Sequence, residues 1–164
     1  MNIKIFFKEI MLFVVGGVSY AGIELLYRQK TYFLMAILGG LVFVLLDKIN
    51  DKISWNTDIL LQGCVGSVLI TGMEFIIGNL SLAGVLPKMW DYSYMWLNYK
   101  GIVCLPFSLL WIVLSIVAIF LADSINYYIY KELPVPYYKL FGKTIIRFKN
   151  HSGVYFCADK DKTD

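Results

Sequence analysis

Two glutamates stand within long apolar runs, where a charged side chain is costly. Glu24 lies near the end of a run that begins close to Ile10, and Glu74 lies near the end of a run that begins at Ile59. If these runs cross a bilayer, a carboxylate costs about 2.5 to 3.5 kcal/mol at the bilayer centre, so both should face protein or a wet cavity. Such groups could bind a proton, a cation or an amine. They could equally be structural hydrogen-bonding groups at helix ends, and both interpretations stay open.

The segment from Trp90 to Lys100 concentrates aromatic and polar side chains and leads into the next apolar run. Trp and Tyr combine an apolar ring with a polar tip, which suits them to bilayer interfaces. An interfacial belt is therefore favoured over a ligand cage for the aromatic residues Trp90, Tyr92, Trp96 and Tyr99. The charged side chain of Asp91 has no such affinity for the interface. We therefore expect it to accept hydrogen bonds from backbone N–H groups of the loop.

Together the two acids and this loop supply the candidate binding residues, which are Glu24, Glu74, Trp90, Asp91, Tyr92, Asn98 and Lys100. No catalytic set accompanies them. Ser93 has no histidine base, because the single histidine, His151, lies in the C-terminal tail on the opposite predicted side. The sequence contains neither an H-E-x-x-H helix nor a G-x-x-x-x-G-K-[ST] loop. We expect no catalytic residue, no metal and no cofactor, and any ATP dependence would require another polypeptide.

Composition places the chain in a lipid bilayer. Hydrophobic residues make up 59% of the chain and charged residues 16%, and the mean hydropathy is +0.65. A soluble domain of this size would not expose so little charge. The net charge of +3 comes from basic residues between and after the apolar runs, so we interpret it as a topology signal and expect no nucleic-acid partner. The three cysteines are widely spaced and indicate neither a disulfide framework nor a zinc site.

The apolar runs predict an all-α transmembrane protein with four helices, an aromatic outer loop and a short cytoplasmic tail. The predicted spans cover about residues 10–26, 31–46, 59–77 and 102–122, the last opened by Gly101. Residues 47–58 are expected to form a solvated connection. The transmembrane domain would occupy residues 1–126 and the juxtamembrane tail residues 127–164, with a small hairpin over residues 144–157. The first run is interpreted as a retained span, since it lacks a clear signal-peptide cleavage site.

Basic residues predict the orientation. With four crossings, one side of the membrane receives only Arg28, Lys30, Lys88 and Lys100, while all other Lys and Arg residues fall on the side of the termini. Basic residues near span ends concentrate on the cytoplasmic side. Both termini are therefore predicted to be cytoplasmic, with Glu24, Glu74 and the aromatic loop toward the outer leaflet.

A shift of fifty residues aligns the first span with the third. The segment V-G-G-V-S-Y-A-G-I-E ends at Glu24, and V-G-S-V-L-I-T-G-M-E ends at Glu74. A parallel repeat and a chance match between glycine-rich apolar segments both explain the similarity. In either case Gly63, Ser67 and Thr71 form a stripe of small residues that should meet protein. The two acids are expected to approach one another near the outer side.

The residues from Trp90 to Trp111, W-D-Y-S followed by N-x-x-G-I-V-C-L-P-F-S-L-L-W, resemble the bacterial CmpB-like family of ABC-transporter permeases of type IV. The resemblance extends to Y-x-x-I-E-L-L-Y-R in the first span and I-T-G-M-E-F-I-I-G in the third. It implies a small multi-pass protein of the bacterial cytoplasmic membrane and a permease-like component of a transport system.

Two other functions remain as alternatives. One is a non-transporting accessory or regulatory subunit that packs against a partner through its glycine faces. The other is an intramembrane carboxylate enzyme, which is less favoured because no nucleophile or metal set accompanies the acids. Because four short helices enclose little, we expect the chain to assemble in the lipid bilayer as a homo-oligomer or with a separate nucleotide-binding subunit.

Overall fold

A computed structural model describes residues 3–50, 52–132 and 134–149. This part of the chain is mostly helical and contains four α-helices: α1 (Ile3–Arg28), α2 (Phe33–Asn50), α3 (Ile59–Leu82) and α4 (Leu105–Ser124). A π-helical turn, Ile125–Ile129, continues α4. In the described residues α1, α3 and α4 with its π turn, 24 to 26 residues each, are long and apolar enough to cross a membrane. At 1.5 Å per residue they reach about 36 to 39 Å, more than the hydrocarbon core of roughly 30 Å.

Helices α1 and α2 form an antiparallel pair whose backbones meet at glycines. A Cβ atom built on Gly17 would lie 2.7 Å from the carbonyl oxygen of Ala36, and one on Gly40 would lie 2.5 Å from that of Phe13. No side chain fits at either position, so the two backbones approach as closely as glycine allows. Thr31 and the residues around it complete the short connection between the two helices.

Helices α3 and α4 form a second antiparallel pair through the stripe of small residues. Ser67 Oγ donates to the carbonyl oxygen of Ser108 at 2.5 Å, and Thr71 Oγ1 lies 3.0 Å from Ser108 Oγ. A Cβ atom on Gly63 would meet the carbonyl oxygen of Ile112 at 2.9 Å. The prediction that this stripe meets protein is confirmed.

The aligned glycines of the sequence repeat, Gly16 and Gly66, have the same packing role in the two helix pairs. A Cβ atom on Gly16 would lie 2.2 Å from Cβ of Phe43 in α2, and one on Gly66 would lie 2.5 Å from Oγ of Ser115 in α4. In each pair, the glycine of the first helix therefore allows the second helix to pack closely against it. The ten-residue match at a shift of fifty residues thus corresponds to an equivalent packing role of its aligned glycines.

The two pairs join at the end of the bundle that carries the start of α1 and the end of α4. Leu12, Phe43, Ala122 and Ile125 form a buried apolar cluster there. Next to it, Asp47 accepts a 2.6 Å hydrogen bond from Asn126 Nδ2 and lies 3.7 Å from Lys8 Nζ. The expectation that Asp47 belongs to a solvated connection is wrong. The last turns of α2 carry it into the bundle, where its exposed fraction is 3%.

The start of the last helix also differs from the sequence interpretation. Strand β1 (Asn98–Tyr99) pairs with strand β2 (Val103–Cys104), and Gly101 lies in the turn between them with φ of 69°. Gly101 therefore does not open the helix. The helix α4 begins at Leu105 with Pro106 in its first turn, where proline removes no intrahelical hydrogen bond.

The tail folds back onto the bundle as a hairpin. Strand β3 (Tyr137–Leu140) pairs with strand β4 (Lys143–Arg147) in antiparallel register. The hairpin predicted over residues 144–157 needs a strand at 154–157, which lies outside the described residues; residues 143–147 pair with β3. Tyr138 is buried, and its hydroxyl donates a 2.6 Å hydrogen bond to Asp123. Burial raises the pKa of Tyr138, and the neighbouring carboxylate raises it further.

The glycine contacts predict a contrast within α1. We expect Gly17→Ala to lower the free energy of unfolding by about 1 to 3 kcal/mol, because its methyl group would strike a backbone carbonyl that cannot rotate away. Gly22 has no protein atom within 4 Å of a built Cβ, so Gly22→Ala should leave stability unchanged or raise it by up to about 1 kcal/mol. Denaturant unfolding in detergent measures both, and equal effects would contradict the packing.

Candidate functional site

Glu74 of α3 lies where three elements meet. Its Oε1 accepts a 2.9 Å hydrogen bond from the hydroxyl of Tyr92, in the loop before β1. Its Oε2 accepts a 3.0 Å hydrogen bond from Nε1 of Trp111, in α4. Both carboxylate oxygens are thus held, one by the outer loop and one by the neighbouring helix.

The aromatic loop divides into inward and outward side chains. Tyr92 is 8% exposed, and Trp90 donates its indole N–H to the carbonyl oxygen of Ile102 at 2.8 Å. Trp96 and Tyr99 are 71% and 50% exposed. The belt interpretation suits the outward pair and is wrong for Tyr92, which turns into the protein. Burial raises the pKa of Tyr92, and the Glu74 carboxylate adds to this shift.

Asp91 organises the loop, as expected from the sequence. Its Oδ1 accepts the backbone N–H of Ser93 at 2.9 Å, and its Oδ2 lies 2.5 Å from Lys88 Nζ. The bond from Lys88, followed by the bond from Ser93, lowers the pKa of Asp91 to about 2. The prediction that Asp91 accepts a backbone hydrogen bond is confirmed.

Asn98 and Lys100 belong to the same loop framework. Asn98 Nδ2 donates to the carbonyl oxygens of Ser93 and Met95, and its Oδ1 accepts the N–H of Gly101 at 3.1 Å. Lys100 Nζ lies 5.4 Å from the ring centroid of Tyr99. Neither of these two candidates faces Glu74.

Glu24 has a different environment from Glu74. It is 5% exposed and accepts hydrogen bonds from Arg28, one turn later in α1, and from Thr31. Arg28 also donates to the carbonyl oxygen of Met89 at 3.1 Å, which ties α1 to the outer loop. No direct hydrogen bond joins the two acids in the described part of the chain, but both interact electrostatically with Tyr20. Glu24 therefore belongs to a neutralised structural pair.

A cavity of about 150 Å³ lies between the two helix pairs, with Glu74 in its wall. All four helices and one loop residue line it: Gly16, Ser19, Tyr20, Ile23, Met35, Leu38, Gly39, Val42, Phe43, Leu46, Ile70, Met73, Glu74, Ile77, Trp90, Trp111, Leu114, Val117, Ala118 and Leu121. Of the candidate residues, only Glu74 and Trp90 reach this space. The remaining candidates are not among the residues that line it.

Sequence reasoning missed Tyr20 and Trp111. Their rings lie 6.2 Å apart, and Phe107 links them to Tyr92 through centroid distances of 6.3 Å to Trp111 and 4.6 Å to Tyr92. Tyr20 lies one turn before Glu24, and Trp111 is the one tryptophan within a predicted span. Both features could have indicated residues near the site. Nothing in their spacing related them to Glu74.

The three long apolar helices of the described residues define a helical membrane protein. Comparison with known families gives a more specific result: the model of the family described as "Putative ABC-transporter type IV" matches residues 4–149. The chain belongs to this family, as the resemblance in its sequence indicated. No curated protein and no solved structure matches the chain.

The contacts of Asp91 predict a local effect on the loop. Asp91→Ala should increase protease cleavage between residues 88 and 101 while leaving membrane insertion intact, because it removes the acceptor for Ser93 N–H and Lys88. Asp91→Asn keeps an acceptor oxygen for Ser93 and should show a smaller increase. Since the folded pKa is lowered, the carboxylate's contribution is complete above about pH 4 and is lost as the pH falls toward 2. Unchanged protease cleavage of the Asp91→Ala variant would show that Asp91 does not stabilise the loop.

Proposed function

We propose that this protein is a permease-like component of a transport system in the bacterial cytoplasmic membrane. The observation that carries the proposal is the cavity between the two helix pairs, together with the family to which the chain belongs. Ligand sites of membrane transporters lie between helices, within the depth of the bilayer. A protein that served only as an anchor would have no need for such a space.

The cavity extends over a substantial part of the bundle. Its wall on α4 runs from Trp111 to Leu121, and its wall on α2 runs from Met35 to Leu46. At 1.5 Å per residue these stretches span about 15 Å, roughly half of the hydrocarbon core. The space is therefore deep enough to hold a small ligand inside the membrane.

The two ends of the cavity are bordered by different elements. Toward the loop, Trp90 lines the cavity, and Tyr92 holds the Glu74 carboxylate in its wall. At the other end lies the cluster of Leu12, Phe43, Ala122 and Ile125. Of these two borders, the outer loop is the one that is attached through side-chain hydrogen bonds of Trp90 and Tyr92. We assign the outer loop as the gate on its side.

The proposed topology has four crossings, with α2 as the second and both termini in the cytoplasm. Helix α2 has 18 residues and reaches about 27 Å, close to the hydrocarbon thickness. It runs antiparallel to α1 and closes one side of the cavity. Lys8 near the start of α1 contacts Glu132 after α4 at 3.1 Å, which agrees with termini on one side.

We propose that transport depends on ATP, which requires a separate subunit because the sequence has no phosphate-binding loop of its own. We expect that subunit to bind ATP and to contact the cytoplasmic end of the bundle.

The alternative is an accessory subunit that packs against a partner through glycine faces. Fewer glycines are available for such a contact than the sequence indicated. Gly16, Gly17, Gly40, Gly63 and Gly66 are all occupied by contacts within the chain. Gly22 and Gly72, which occupy equivalent repeat positions, have no protein atom within 4 Å of a built Cβ. These two positions on α1 and α3 are the ones at which a partner helix could approach closely.

Cysteine labelling tests the topology. Ser93→Cys, in the exposed part of the outer loop, should react with an impermeant thiol reagent in intact cells above the level of the parent protein. Thr144→Cys, in the exposed strand β4, should react only after lysis. The reverse pattern would invert the orientation, and reaction of both in intact cells would rule out termini and loop on opposite sides.

A cavity-filling substitution tests the transport role. The protein purified in mild detergent should retain an ATP-binding subunit, and Leu114→Trp should lower the ATPase activity of that complex at least tenfold by filling the cavity. Leu109→Trp provides the control, since Leu109 lies on the same helix but is 55% exposed. Absence of any ATP-binding subunit, or equal activity of the two variants, would contradict the proposal.

A further inference from the structure

Glu74 carries the one charged group in the wall of the cavity, and the described residues provide no cation for it. The ion pairs in residues 3–50, 52–132 and 134–149 use Glu9, Glu24, Asp47, Asp91 and Glu132 as their acids. Glu74 has instead two neutral donors, Tyr92 and Trp111. An ionised carboxylate accepts about four hydrogen bonds, so it retains the capacity to bind a further donor.

Glu24, the acid aligned with Glu74 in the repeat, has a cationic partner in its own helix. Glu24 is followed one turn later by Arg28, which neutralises it within α1. At the corresponding position, one turn after Glu74, the chain has Gly78. A Cβ atom there would lie 2.5 Å from Ile102, so no longer side chain could occupy this position. The fold thus supplies a cation to one acid and keeps it away from the other.

The rest of the wall limits which cation could fill this role. The cavity is lined mainly by aliphatic side chains and by the rings of Tyr20, Phe43, Trp90 and Trp111. Ca²⁺ and Mg²⁺ need six or more oxygen ligands, which this wall does not offer. An organic ammonium needs only one carboxylate and aromatic faces within about 6 Å, because the ring quadrupole attracts its diffuse charge.

We propose that the cavity binds a small organic cation, with its ammonium group at Glu74 and its apolar body between the aromatic and aliphatic walls. This inference rests on the proposed function to the extent that it takes the cavity as the ligand site. The bound cation supplies the charge that Arg28 supplies to Glu24. Tyr92 and Trp111 position the carboxylate at the outer end of the cavity, directly beneath the loop.

Two probes of nearly identical shape test the assignment. Phenyltrimethylammonium and tert-butylbenzene differ by the exchange of a charged nitrogen for a neutral carbon. The protein is reconstituted in vesicles of an uncharged galactolipid, which has no ammonium headgroup, with Trp55→Phe and Trp96→Phe, so that Trp90 and Trp111 alone report occupancy by fluorescence. We expect saturable binding of the cation at least tenfold tighter than that of the neutral probe, after correction for partition into lipid.

Two variants separate charge from structure. Glu74→Gln should weaken phenyltrimethylammonium at least tenfold and leave tert-butylbenzene within threefold. Glu9→Gln removes a carboxylate that pairs with Lys48 and does not line the cavity, so cation binding should remain within threefold. Circular dichroism and gel filtration verify that each variant is folded. If Glu74→Gln does not fold, the comparison of the two probes on the parent protein still decides.

Three results would overturn the inference. Equal affinity for both probes would leave the cavity as a ligand site but remove its preference for a cation. Full cation binding by Glu74→Gln would remove the carboxylate from the site. If neither probe binds, the cavity does not take organic cations, and the Leu114→Trp comparison then decides separately whether it serves transport.

Discussion

The carboxylate of Glu74 has to be stabilised inside an apolar bundle. One oxygen is held by Tyr92 and the other by Trp111, which brings together α3, the outer loop and α4. Hydrogen bonds to a charged acceptor contribute about 1.5 to 3 kcal/mol each, comparable with the cost of placing the charge within the membrane. The same two bonds fold the loop over the cavity, so the acid both organises the outer end and faces the proposed ligand site.

The opposite end of the bundle uses polar contacts for a different purpose. Asp47 meets Lys8 and Asn126, and Asp123 accepts the hydroxyl of Tyr138 from the tail hairpin. These contacts connect the two helix pairs to each other and to the residues after α4. The apolar cluster around Leu12 and Phe43 lies beside them, so this end of the bundle is packed.

The internal repeat acquires a physical meaning in the structure. Gly16 and Gly66 both admit the second helix of their own pair, which a chance similarity between apolar segments would not require. The two aligned acids have different neighbours, since Glu24 has Arg28 and Glu74 has Gly78 at the next turn. Glu24 and Arg28 form an ion pair that ties α1 to the loop, whereas Glu74 lines a cavity and has no ion pair within residues 3–50, 52–132 and 134–149.

The sequence by itself determined the features that depend on local composition and period. Apolar runs predicted the helices to within several residues, the small-residue stripe on α3 predicted a protein contact, and the loop motif indicated the family. The turn chemistry of Asp91 was also local, because its partners lie within three residues. The tertiary structure decided which of the two acids has a cation, that Asp47 is buried, and that Tyr20 and Trp111 line the site. Trp111 and Glu74 are 37 residues apart, and their contact depends on how α3 and α4 are rotated and aligned against each other. That alignment follows from the close backbone approach at Gly63 and Gly66, a property of the helix pair that is absent from either helix alone.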